Sequence, residues 1–163
     1  MNEEAVYSAA KTWLRLKGWD VIGGQPPSGT DHLPVIEIKN DAVHEKGSRG
    51  AYKPDLVALK DATIAFIECK PKYDFDDHHK LESILGSHRR LRSAWNEIRR
   101  RNIEAEGLVL AFEDMRFVGI LAHDALHTIS QQEVVGLLRC SAGNPLDVEL
   151  VPAEAWAKIS NGP

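Results

Sequence analysis

The 163 residues, 43% hydrophobic and 27% charged, suit one domain with a substantial core, and no apolar run approaches the roughly 18 residues a membrane span needs. A formal net charge of −4 argues against coating nucleic acid nonspecifically, and two cysteines, Cys69 and Cys140, are too few for a disulfide framework or a zinc ribbon. The start, Met-Asn-Glu-Glu, lacks the basic-then-apolar pattern of a signal peptide, so a cytoplasmic location is expected.

The first expected element is a helix from about Asn2 to Lys17, with Glu3, Val6, Ala10 and Trp13 on one face. Loop signals follow at Gln25-Pro26-Pro27-Ser28-Gly29, and Val35 to Lys39 reads as a strand bounded by Asn40-Asp41. Asp41 to Tyr52 has little apolar content and reads as a mobile loop. Its Lys46 and Arg49, with Lys53 beside it, can close over DNA.

Asp55 to Leu59 and Thr63 to Lys70 read as two strands joined by Lys60-Asp61-Ala62, a hairpin that folds Asp55 back beside Glu68. Side chains alternate along a strand, so Glu68 and Lys70 share a face. Phosphodiester hydrolysis needs a nucleophilic water near phosphorus and a means of holding the charge that grows on the phosphoryl oxygens. Mg²⁺, or Mn²⁺ in its place, takes hard oxygen ligands, keeps several waters and needs only one or two protein carboxylates. Asp55 and Glu68 can be those carboxylates, and the backbone carbonyl of Cys69 a third ligand. Lys70 can orient or help deprotonate the water and then offset charge in the transition state.

Lys53-Pro54-Asp55 followed by Glu68-Cys69-Lys70 resembles the PD-(D/E)xK nuclease superfamily, and within it archaeal-type Holliday junction resolvases and small restriction enzymes. The resemblance covers about 50 of the 163 residues. It implies an α/β, restriction-endonuclease-like core, a central mixed sheet flanked by helices, and a metal-dependent endonuclease acting on DNA in restriction, repair or recombination. It also implies a glutamate of the first helix facing the metal, for which Glu3 is preferred to Glu4. A serine- and glycine-containing loop before the Pro-Asp pair is implied as well, and Gly47-Ser48-Arg49-Gly50 stands there. A chain with one active site cuts two strands symmetrically only as a dyad-related pair, so a homodimer is expected, or else a heteromeric partner. The competing reading is a nucleic-acid-binding or assembly subunit that keeps the fold and cuts nothing, with Glu68 and Lys70 as a structural ion pair.

From His78 to Asn102 seven lysines and arginines stand against two glutamates, a basic helix in an acidic protein. Leu81, Ile84, Leu85, Leu91, Trp95 and Ile98 form its apolar stripe, and the acidic turn Asp74 to Asp77 suits its amino end. The planar fork of arginine matches phosphate. Lys72, Lys80, Arg89, Arg90 and Arg92 therefore join Lys46, Ser48, Arg49 and Lys53 as expected DNA contacts, against the plainer reading of a solvated helical face. The histidines are scattered, with no zinc spacing among them.

Leu108 to Phe112 and Phe117 to Leu121 read as a hairpin around Glu113-Asp114-Met115-Arg116. Gln131 to Arg139 reads as a short helix capped by Ser130 and ending near Cys140. Asp147 to Val151 reads as a strand, and Ala153 to Ile159 as a last helix after Pro152.

Overall fold

The computed structural model describes residues 1–29, 31–39, 50–101, 110–126, 129–141 and 147–160. Helix α1 (Glu3–Leu16) starts where Asn2 accepts a hydrogen bond from the Ala5 amide, and it buries Val6, Ala10, Trp13 and Leu14. Strand β1 (Asp20–Gly24) follows, then β2 (Leu56–Lys60) and β3 (Thr63–Cys69). Helices α2 (Phe75–Leu85) and α3 (His88–Arg101) lead to β4 (Arg116–Asp124). The chain then forms β5 (Val135–Cys140), β6 (Val148–Val151) and α4 (Glu154–Ser160).

The six strands form one mixed sheet in chain order, β1 to β6. The β3–β4 and β4–β5 pairs are parallel and the other three antiparallel. Alternation along the strands divides the core into two faces. Val57, Leu59, Ile64, Phe66, Leu121 and Leu137 meet Leu81, Ile84, Trp95 and Ile98 of α2 and α3. Leu56, Ala58, Ala65, Ile67, Ile120 and Leu138 meet α1, with Trp156 of α4 packed at the margin. The protein is thus α/β, a mixed sheet flanked by helices on both faces. No helix among the described residues is long and apolar enough to cross a membrane.

The hairpin is as expected, with a tighter loop. Lys60 pairs with Thr63, leaving Asp61 and Ala62 at the turn, and Asp61 takes the left-handed conformation that aspartate tolerates (φ 50°). The basic segment divides into two helices. Gly86 ends α2, and the Ser87 hydroxyl accepts a hydrogen bond from the Arg90 amide at 3.3 Å to start α3. The gap of six residues between Leu85 and Leu91 marks that break in the apolar stripe.

Three other expected elements differ in the structure. Val35 to Lys39 is not a strand; Ile36 and Ile38 are buried as its alternation requires, but the backbone pairs only at one bridge, Ile38 to Tyr52. Leu108 to Phe112 does not form a hairpin with the following strand. Residues 108 and 109 lie outside the described set, Phe112–Asp114 is a 3₁₀ turn, and β4 takes both its partners in parallel. Phe112 turns inward against His88 and Phe117 instead. Gln131 to Arg139 is not a helix, and Ser130 caps nothing, because Val135–Cys140 is a strand that buries five of its six residues. A strand buried on both faces loses its period of two and reads like a short buried helix. Cys140 accordingly lies in the sheet.

Gly136 matters to this packing, since a Cβ there would fall 2.5 Å from the Trp156 ring. Strand β1, unforeseen in the sequence, holds two of its five residues as glycine.

Candidate active site

The β2–β3 register pairs Leu56 with Ile67, and one further step places Asp55 across from Glu68. The Cys69 amide donates to Asp55 Oδ2 at 2.8 Å, which fixes the carboxylate at the mouth of the hairpin. Glu68 is 5% exposed, and the Tyr52 hydroxyl donates to its Oε1. Lys70 lies just past the end of β3. Its ammonium sits 3.5 Å from Glu3 of α1 and 3.5 Å from Asp77 of α2. Glu4 turns away to accept from the Ser28 hydroxyl at 2.7 Å, so of the two glutamates Glu3 is beside Lys70.

The Glu68–Lys70 ion pair of the competing, non-catalytic reading is not what the side chains form, since the ion-pair partners of Lys70 are Glu3 and Asp77. Asp77 is 4% exposed, and its other oxygen accepts from Lys80 at 2.7 Å. The acidic turn is therefore split in role. Asp74 caps α2 by accepting from the Asp77 amide at 3.0 Å, while the Asp77 carboxylate faces the two lysines. Lys53, Glu68, Lys70, Asp77, Lys80 and Arg90 line an open cleft of about 400 Å³.

Burial, reinforced by the Asp55 carboxylate, pushes the Glu68 pKa up to about 8. Asp55 is also raised by burial, against the lowering effect of the Cys69 amide. Two carboxylates in contact, Glu68 buried and Asp55 half-buried, cannot both be charged cheaply, so near neutrality the pair retains a proton. Tyr52 is held well above its ordinary pKa by burial and by Glu68, so it stays a neutral donor. Burial works against the Lys70 ammonium, but Asp77, Glu3, Asp55 and Glu68 outweigh it and raise its pKa. Lys70 is a resident cation here, suited to offsetting negative charge and poorly suited to taking a proton.

Among the described residues, no group of three or more His, Cys, Asp or Glu side chains is arranged to hold a metal ion. The donor set is a two-carboxylate one, which fits Mg²⁺ because that ion keeps most of its waters.

The expected DNA contacts fall in four places. Lys53, Lys80 and Arg90 line the cleft, with Lys53 3.6 Å from Glu37 and Arg90 3.2 Å from the Ser83 hydroxyl. Arg89 and Arg92 line a neighbouring groove, and Arg92 pairs with Glu113 at 3.0 Å. Lys72 is exposed between β3 and α2 and does not line the cleft. Lys46, Ser48 and Arg49, with most of the expected mobile loop, lie outside the described residues.

Sequence reasoning missed Tyr52 and Asp77. Tyr52 sits three residues before Asp55, in a segment read as loop. Asp77 belongs to the acidic turn that suits the helix start, and its burial and its ion pairs with Lys70 and Lys80 separate it from Asp74 and Asp76. Compared with models of known protein families and with curated protein sequences, the chain matches none.

Proposed function

We propose that this protein is a metal-dependent endodeoxyribonuclease with a restriction-endonuclease-like core, acting in DNA restriction, repair or recombination. One observation carries the reading. Asp55, half-buried, and Glu68, buried, converge at the mouth of one hairpin, short of a counter-charge between them, with Lys70 alongside. A carboxylate pair of this kind is stabilised by a divalent cation, and the α/β order of helix, hairpin, two helices and parallel strand accords with the fold.

Asp55 and Glu68 would hold Mg²⁺ or Mn²⁺, with the Cys69 carbonyl as a third oxygen. Bound there, the ion would supply a Lewis acid for the phosphoryl oxygen and would make its bound water more acidic and a better nucleophile. Tyr52 holds Glu68 in place through its hydroxyl. Glu3 and Asp77 keep Lys70 charged and fixed where charge accumulates on the phosphate. Lys80 and Arg90 face the same cleft and would bind the flanking phosphates. The location would be cytoplasmic.

The second reading, a nucleic-acid-binding subunit that cuts nothing, gains from the two carboxylates already engaging Lys70. One experiment separates them. Purified protein, its oligomeric state read by light scattering, is incubated with plasmid, linear, branched and single-stranded DNA, with and without Mg²⁺ or Mn²⁺. The nuclease reading expects metal-dependent cleavage by a homodimer, because one site per chain cuts one strand. Binding without cleavage of any substrate would favour the second reading, and nicking by a monomer would overturn the dimer alone.

A further inference from the structure

Beside the cleft, a second groove of about 650 Å³ runs between the segment carrying Glu37 and Lys39 and the helix face carrying His88, Arg89, Arg92 and Asn96. The two depressions are lined by neighbouring residues. Lys53 in the cleft pairs with Glu37 in the groove, and the consecutive residues Arg90 and Arg89 line one each. The groove holds four lysine and arginine side chains against two glutamates, in a protein whose net charge is −4. Among the described residues, Lys39 and Arg89 make no side-chain hydrogen bond or ion pair, so both cations face the groove without a protein partner. His88 is exposed, with its ring perpendicular to Phe112 at a centroid distance of 5.1 Å, and it offers a flat surface at the groove wall.

We propose that this groove takes a single-stranded segment of nucleic acid that runs on from the phosphate held in the cleft, its backbone on Lys39 and Arg89 and a base against His88. The inference rests on the nuclease reading for the cleft and adds the kind of strand beside it. Duplex readers push a convex helix or ribbon into a DNA groove, whereas here the basic face of α3 is one wall of a concavity. A concave basic track with an aromatic platform is how proteins hold single strands with little sequence preference.

The test measures binding by fluorescence anisotropy with Ca²⁺ in place of Mg²⁺, strand integrity being checked on gels. The probes are a short oligo(dT), a blunt duplex, and the same duplex carrying an oligo(dT) arm. Lys39→Ala combined with Arg89→Ala, both exposed and safe for folding, should weaken the oligo(dT) and the armed duplex about tenfold and leave the blunt duplex unchanged. Two lost phosphate contacts should lower the salt slope on oligo(dT) by about 1.4. His88→Ala should weaken oligo(dT) about fivefold or more with the slope unchanged.

A double variant that binds all three probes like wild type would overturn the groove. So would an equal loss on the blunt duplex, which would make the groove a general duplex contact. Wild type that binds the armed duplex through these residues but never cuts it would sink only the nuclease reading.

Discussion

Lys70→Ala is expected to lower DNA cleavage by roughly 10²-fold or more while leaving DNA affinity nearly unchanged, the scale for losing a charge-stabilising group aimed at the transition state. The expectation comes from position. Lys70 is fixed between Glu3 and Asp77 just past the end of β3, lining the same cleft as Glu68, and those carboxylates keep it protonated. Its cationic charge is therefore present before substrate arrives, at little reorganisation cost. Single-turnover cleavage alongside anisotropy reads the two effects separately. A variant that cuts at the wild-type rate would remove Lys70 from the mechanism, and one that loses binding and cleavage in equal measure would make it an ordinary phosphate contact.

The second large effect is on stability. Without divalent metal, the protein should melt at a lower temperature at pH 8 than at pH 6. Glu68 has an ordinary pKa of 4.5 and a folded value of about 8, so between those values the folded state holds a proton that the unfolded chain has released. Stability therefore falls as pH rises through that window, by at most about 1.4 kcal/mol per pH unit. For a chain of this length that is at most roughly 3–6 °C per unit. The carboxylates with lowered pKa, Asp31 and Glu97, are ionised in both the folded and the unfolded state by pH 6 and add no slope between pH 6 and 8. Glu68→Gln should flatten the profile, and so should saturating Mg²⁺, which favours the ionised pair. Thermal melts across this range read the result; a flat profile for the metal-free wild type, or one unchanged by Glu68→Gln, would mean that the carboxylate pair is not strained.

Where local pattern and tertiary role agree, the sequence was easy to read. The alternation from Thr63 to Cys69 and the apolar face of α1 each follow from one buried side and one partner surface, and the hairpin brought Asp55 and Glu68 together as their spacing implied. The pattern misled at β5, where Val135 to Cys140 lies in a parallel part of the sheet with helices on both faces. It was silent at β1, whose two glycines carry no hydrophobic signal and whose place is fixed by pairing with a strand more than thirty residues away. Tyr52 and Asp77 were hidden for a related reason. Each gains its role from a neighbour distant in sequence or from burial, and neither property shows in a local window. The basic helix was legible as charge, yet its two helices and the sorting of Arg89 and Arg90 into different depressions belong to the packing at Gly86 and Ser87.

The most direct measurement is a calorimetric titration of Mg²⁺ into wild type and Asp55→Asn near pH 7, repeated in buffers of different ionisation enthalpy. Wild type should bind saturably, with release of about one proton because the pair must give up the one it retains, and Asp55→Asn should lose that binding. No heat and no thermal shift in wild type, or the same isotherm in Asp55→Asn, would contradict a metal centre at Asp55 and Glu68.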